Sequence, residues 1–122
     1  MAKYLLLIYQ DEANLPATPE ALAAMADEYG AYTNAIAAQG ILVHGEALQS
    51  TSASTTVRIR DGKSLITDGP FAETKEALGG FYLVECEDLD GALAAAAGIP
   101  GARTGTIEVR PIQPMPEPGG AA

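Results

Sequence analysis

Asp68-Gly69-Pro70-Phe71-Ala72-Glu73-Thr74-Lys75-Glu76 stands between two segments that read as strands, and it divides the chain into halves of similar order. Pro70 fixes its own φ and donates no backbone hydrogen bond. It also pushes the preceding residue out of the helical region, and that residue is Gly69, which has the widest conformational choice. The pair makes a sharp corner with the Asp68 carboxylate just before it and the apolar Phe71 just after. Asp-Gly-Pro is also ordinary turn chemistry. From the residues alone, a solvated surface turn and a built site both stand.

Upstream of this corner, Lys3 to Tyr9 is rich in branched and aromatic residues and reads as a buried strand. A loop follows. Thr18 is then an N-cap, Pro19 a first helical residue and Glu20 a first-turn acid. Leu22, Met25, Ala26, Tyr29, Tyr32, Thr33, Ile36 and Ala37 recur at helical steps, predicting a helix to Gln39 with Gly40 beyond its end. Ile41 to Leu48 is a strand whose alternation sets Leu42, His44, Glu46 and Leu48 on one face. A Ser/Thr-rich linker leads to Thr55–Arg60 and Ser64–Thr67, joined through Asp61-Gly62 as a hairpin with one wet face.

Downstream, Ala77-Leu78-Gly79-Gly80 leads into a strand at Phe81 to Glu85. Asp88 caps a helix over residues 89–97, which Gly98, Pro100 and Gly101 end. Thr106 to Ile112 is the last strand. The order is strand, helix, strand, hairpin insertion, strand, helix, strand. It predicts an α+β, ferredoxin-like βαβ(hairpin)βαβ fold with an antiparallel sheet and both helices on one face. Residues 1–113 are expected to form one domain, and residues 114–122, rich in proline and glycine, a tail. The sheet face away from the helices carries leucines, and pairing of two such faces in a homodimer is the expected cover.

The chain has 122 residues and a formal net charge of −9. It carries no basic run, which disfavours nucleic acid and anionic membrane surfaces as partners. The apolar N-terminal run is too short for a secretory signal, so a cytoplasmic location is expected. The single cysteine, Cys86, lies in an apolar strand and reads as a buried structural thiol. One cysteine and one histidine give no zinc spacing, and no cofactor motif is found, so neither a metal nor a cofactor is expected.

If Ile107 and Val109 pack under the helices, then Glu108 and Arg110 share the open face of the sheet with His44 and Glu46. A histidine, an arginine and acids in one cleft make an acid–base constellation. Asp68 and His44 are the candidate catalytic residues. Arg110, Lys75, Glu73 and Phe71 are the candidate substrate-binding residues. Each also has an ordinary reading: His44 as a hydrogen-bonded strand residue, Arg110 as an ion-pair partner of nearby carboxylates, and Lys75 with Glu76 as a solvated turn.

The Asp68–Glu76 stretch, Gly79-Gly80-Phe81-Tyr82 and Ile107-Glu108-Val109-Arg110-Pro111 resemble the DGPF branch of the YCII-related proteins. Lys3–Tyr9, Gly40–Val43 and Gly45–Leu48 fit as well, so the likeness spans roughly residues 3–112. The resemblance implies a ferredoxin-like, dimeric α/β-barrel fold. Most members carry no assigned reaction. The wider family includes a dehydrochlorinase acting on a lactone, and its fold neighbours include muconolactone isomerase. YCII-type members carry a His–Asp pair whose His lies in the first helix. Here that helix holds Asp27, Glu28 and Tyr29, and the lone histidine is His44, so the pair does not transfer simply, and Asp68 carries over as the first residue of the motif. The DGPF branch also resembles proteins encoded beside, or fused to, extracytoplasmic-function sigma factors, which implies a regulatory setting.

Two functions follow as expectations. One is a small-molecule lyase or isomerase using acid–base chemistry in a dimer cleft. The other is a non-catalytic homodimer that binds a ligand or a partner, a sigma factor among the candidates. In a third, the motif serves only to build the dimer.

Overall fold

Strand β1 (Ala2–Gln10) alternates buried Tyr4, Leu6 and Ile8 with half-buried Leu5, Leu7 and Tyr9. Strand β5 (Ala77–Cys86) does the same, burying Gly80, Tyr82, Val84 and Cys86 and turning Phe81, Leu83 and Glu85 the other way. These two strands pair antiparallel at the centre of a four-stranded sheet. Strand β2 (Leu42–Ala47) flanks β5 and strand β6 (Thr106–Pro111) flanks β1, both antiparallel. The order β2-β5-β1-β6, with helices α1 (Pro19–Ala38) and α2 (Leu89–Ala97) in the two crossovers, is the ferredoxin-like arrangement. The computed structural model describes residues 1–116. The expected tail falls partly at residues 117–122, outside the described residues.

The core lies between one sheet face and the two helices. Tyr4, Leu6, Ile8, Tyr82, Val84 and Cys86 meet Ile36 of α1, Ala92, Ala95 and Ala96 of α2, and Ile99. Small alanines let α2 lie close to the sheet. Helix α1 is tied down by polar bonds as well: the Tyr32 hydroxyl donates to the Ala95 carbonyl at 2.6 Å, and Thr33 Oγ1 and the Tyr82 hydroxyl lie 2.7 Å apart. Burial pushes the Cys86 thiol pKa up, with the Asp88 charge adding to it, as suits an inert structural thiol.

Local signals set the element ends. The Ala21 N–H donates to Thr18 Oγ1 at 3.1 Å, capping α1, and Gly40 follows the helix at φ +77°. The Gly91 N–H donates to Asp88 Oδ1 at 2.9 Å, capping α2. Strands β3 (Thr55–Arg60) and β4 (Lys63–Asp68) form the expected hairpin, with φ +52° at Asp61 and +74° at Gly62. This hairpin is a separate two-stranded sheet, not part of the main one.

Three expectations are corrected. Strand β5 begins at Ala77 rather than Phe81, because Gly79 and Gly80 are strand residues. A Cβ on Gly80 would meet the Glu46 carbonyl oxygen at 3.0 Å, so the bare backbone permits the close approach of β2. A bulge in β2 between Leu42 and His44 shifts the side-chain phase. Leu42 therefore pairs with buried Val84 on the helix side instead of sharing a face with His44, and Val43 is left exposed. In α1, Leu22, Ala26 and Ala37 of the expected packing stripe are exposed, and Ile36 is the stripe's one buried residue. No helix among the described residues is long and apolar enough to cross a membrane.

Leu6 is fully buried at the centre of this core, at 0% exposure. Leu6→Ala is expected to cost about 3 kcal/mol of stability, read by urea unfolding. An unchanged midpoint would show that the core does not centre on β1.

Candidate functional site

The β-register fixes which side chains share the sheet face opposite the helices. His44, Leu83, Leu5 and Arg110 form one cross-strand row, and Glu46, Phe81, Leu7 and Glu108 form the next. The middle of both rows is a half-buried apolar floor of Leu5, Leu7, Phe81 and Leu83. The ends are charged. This is the face on which the sequence placed His44, Glu46, Glu108 and Arg110.

On the β2 side, His44 Nε2 lies 2.8 Å from Glu46 Oε2. The imidazole is also tilted against Phe81, with ring centroids 6.1 Å apart. The bulge that displaces Leu42 turns His44 onto this face. On the β6 side, Arg110 donates to Glu108 Oε2 at 2.6 Å, and the Tyr9 hydroxyl donates to Glu108 Oε1 at 3.2 Å. The hydrogen bond from Arg110 is the main reason the Glu108 carboxyl titrates below its ordinary 4.5, and the bond from Tyr9 helps. Desolvation pushes the Tyr9 hydroxyl pKa up, and the Glu108 carboxylate adds to the shift. Tyr9 was missed from the sequence. Strict alternation along β1 would have found it, since it follows Leu5 and Leu7 on the same side.

His44 and Arg110 share the face but do not converge. They stand at opposite ends of one row, three strand spacings or about 14 Å apart. Only a ligand long enough to span the floor would reach both ends.

The Asp68 stretch lies outside these rows. Asp68 is the last residue of β4, opposite Thr55, and Gly69 makes the corner at φ +99°. The Gly69 N–H donates to the Ser54 carbonyl at 2.7 Å, and Thr56 Oγ1 donates to the Gly69 carbonyl at 2.7 Å. At the other end, Thr106 Oγ1 donates to Glu76 Oε1 at 2.8 Å, which ties the stretch to the start of β6. Asp68, Glu73 and Lys75 are exposed, and among the described residues no hydrogen bond or ion pair joins them to His44 or Arg110. Phe71 is 79% exposed, so within one chain it pins nothing. The core ends at the sheet, and the corner projects beyond it.

Among the described residues, no group of three or more His, Cys, Asp and Glu is placed to hold a metal ion. One groove, of about 630 Å³, lies on the helix side, lined among others by Met1, Tyr32, Ile36, Gln39, Cys86 and Asp88. It contains none of the candidate residues, and its hydroxyl and thiol are already committed to the core.

A family model for the YCII-related domain matches residues 2–116. An uncharacterised protein of Rhizobium meliloti (strain 1021) is 49% identical over 67 residues, which cover 53% of this chain and 54% of that protein. The match thus spans about half the length of that relative.

Glu108 supplies a pH test. Its folded pKa is depressed, so it favours the folded state above the unfolded carboxyl value of 4.5. That contribution is lost as pH falls through the lower folded pKa. Glu108→Gln should therefore flatten the acid limb of a melting-temperature profile below pH 4.5 and lower the Tyr9 pKa in an ultraviolet titration. An unmoved Tyr9 titration would remove the Tyr9–Glu108 bond.

Proposed function

The chain belongs to the YCII-related family, and from that footing we propose that it is a homodimeric small-molecule enzyme of the lyase or isomerase kind, moving a proton next to a carbonyl in a cleft between two open sheet faces. The observation that carries this reading is the two-row floor: apolar at the centre, with Tyr9–Glu108–Arg110 at one end and His44–Glu46 at the other. Leu5, Leu7, Phe81 and Leu83 stay half-exposed in one chain, and a second copy placed face to face would cover them. That pairing is the dimeric α/β-barrel arrangement.

The ion pair on β6 supports a mechanism. With Arg110 on Glu108, the carboxylate is a weak base. A substrate carboxylate that takes the Arg110 guanidinium removes the interaction that depresses the Glu108 pKa. Glu108 then becomes a stronger base beside the bound substrate, and the Tyr9 hydroxyl, already bonded to it, can return a proton. His44, oriented by Glu46, meets only a ligand long enough to span the floor. Asp68, Lys75, Glu73 and Phe71 enter only from the cleft rim.

The test is loss of α-proton signal from small carboxylated lactones and 2-oxo acids in deuterated water, followed by NMR. Turnover by the wild type that falls about 100-fold in Glu108→Gln, with Arg110→Ala weakening binding, is the expected result. Exchange unchanged in both Glu108→Gln and His44→Ala would overturn the mechanism. Ligand shifts on Tyr9 and Phe81 without any exchange would favour the non-catalytic reading, a ligand- or partner-binding homodimer with a sigma factor among its candidate partners.

A further inference from the structure

The Asp68–Glu76 stretch ends on a carboxylate that belongs to the open sheet face. Tyr9 lies opposite Leu78 on one side and Thr106 on the other. These three residues form a third row, next to the row of Phe81, Leu7 and Glu108. An irregularity at Ile8 and Tyr9 leaves Gly79 without a partner in β1, so Leu78 and, by alternation, Glu76 turn to the open side. Strand β1 stands between β5 and β6 in the sheet. The hydrogen bond from Thr106 Oγ1 to Glu76 Oε1, at 2.8 Å, therefore spans the end of β1 and closes the open face just beyond Tyr9.

Glu76 differs from the charged residues beside it. Glu73 and Lys75 are exposed, whereas Glu76 is half-buried. Its backbone is held as well, since Thr74 Oγ1 donates to its carbonyl at 2.6 Å. Yet among the described residues the Thr106 hydroxyl is the one donor to its carboxylate, and no cation pairs with it. A carboxylate has room for about four hydrogen bonds. Glu12 accepts from the Thr51 N–H and from the Ser50 and Thr51 hydroxyls, and Glu108 accepts from both Arg110 and Tyr9. A half-buried carboxylate with one oxygen unfilled is costly unless a donor arrives. Held in place by Thr106, it is an acceptor preorganised for a donor group of a ligand.

We propose that Glu76 is a specificity-determining residue at the Tyr9–Glu108–Arg110 end of the site, selecting monocarboxylate ligands that carry a hydroxyl or ammonium group at the end away from the carboxylate. The inference rests on the site proposed above, in which Arg110 takes the ligand's carboxylate. Arg110 is folded back onto Glu108, and Thr106, which holds Glu76, lies two residues from Glu108 along β6. The two binding points thus stand about 7 Å apart. A small ligand lying along β6 covers that span, with its middle beside Glu108 and Tyr9. Its distal donor meets Glu76 Oε2 and fills the free acceptor. A second carboxylate there would face a like charge and leave that acceptor unfilled, so dicarboxylates are rejected. This contact runs along the charged margin of the sheet, which leaves the apolar floor to the second copy.

The experiment is an NMR titration of the Tyr9 ring signals with δ-hydroxyvalerate, δ-aminovalerate and glutarate, which share one carbon-chain length and differ at one end. The wild type should bind the hydroxy and amino acids at least about tenfold more tightly than glutarate. Glu76→Gln should remove that preference while binding through Arg110 persists, and Arg110→Ala should weaken all three. Thr106→Val keeps the carboxylate and should keep the preference, which separates the charge from any structural part that the bond plays. A preference unchanged in Glu76→Gln, lost equally in Thr106→Val, or inverted in the wild type would remove the role of Glu76 and leave the Arg110 site standing. Binding of none of the three, or binding indifferent to Arg110→Ala, would remove that site and this inference with it.

Discussion

Two helices can cover one side of a four-stranded sheet and no more, and most features of this molecule follow from that limit. The alternation in β1 and β5 sends Leu6 and Val84 into a closed core and Leu5, Leu7, Phe81 and Leu83 to the opposite side. The second group is as apolar as the first, but no element among the described residues covers it. A sheet that needed only to be folded would carry polar residues there. Chemistry-bearing residues are instead placed around the apolar floor, at the outer strands β2 and β6, where two further strands supply side chains on the same face.

Much of this was legible because period-two alternation states both sides of a strand at once. The caps at Thr18 and Asp88, the Asp61-Gly62 turn and the seven-element order needed only local chemistry. What escaped was set by contact between elements distant in sequence. Gly79-Gly80 looks like a loop until β2 lies against it, and then a missing side chain is what lets the strands meet. The bulge after Leu42 leaves no composition signal, yet it sets Leu42 and His44 on opposite faces. Helix α1 has a long apolar stripe, but α2 has only Leu89–Ala97, so the helix layer is uneven and the Leu22 end of α1 is left in the open.

The candidate site divides along the same line. That Glu108 and Arg110 share one face was readable from alternation alone, whereas His44 and Glu46 join them through the bulge after Leu42. That His44 and Arg110 stand at opposite ends of a row was not, because strand order is a property of the crossovers, not of any strand. Tyr9 was available to the same alternation argument and was overlooked because an aromatic residue at a strand end reads as packing. Its hydroxyl contact with Glu108 appears only when β1 and β6 are laid side by side.

The Asp68 stretch marks where reasoning from one chain stops being sufficient. Its residues are dense in chemistry, and its corner is well made: Gly69 is held by Ser54 and Thr56, and Glu76 by Thr106. Yet Phe71 and the Asp68 carboxylate face solvent. A corner tied at both ends is costly to order and gains little by presenting a phenyl ring to water. The same mismatch between preorganisation and bareness holds for the hairpin that precedes it and for the leucines of the open sheet. The proposed second copy answers this for the leucines of the open sheet, whereas Asp68, Glu73, Lys75 and Glu76 make the corner a surface of mixed charge.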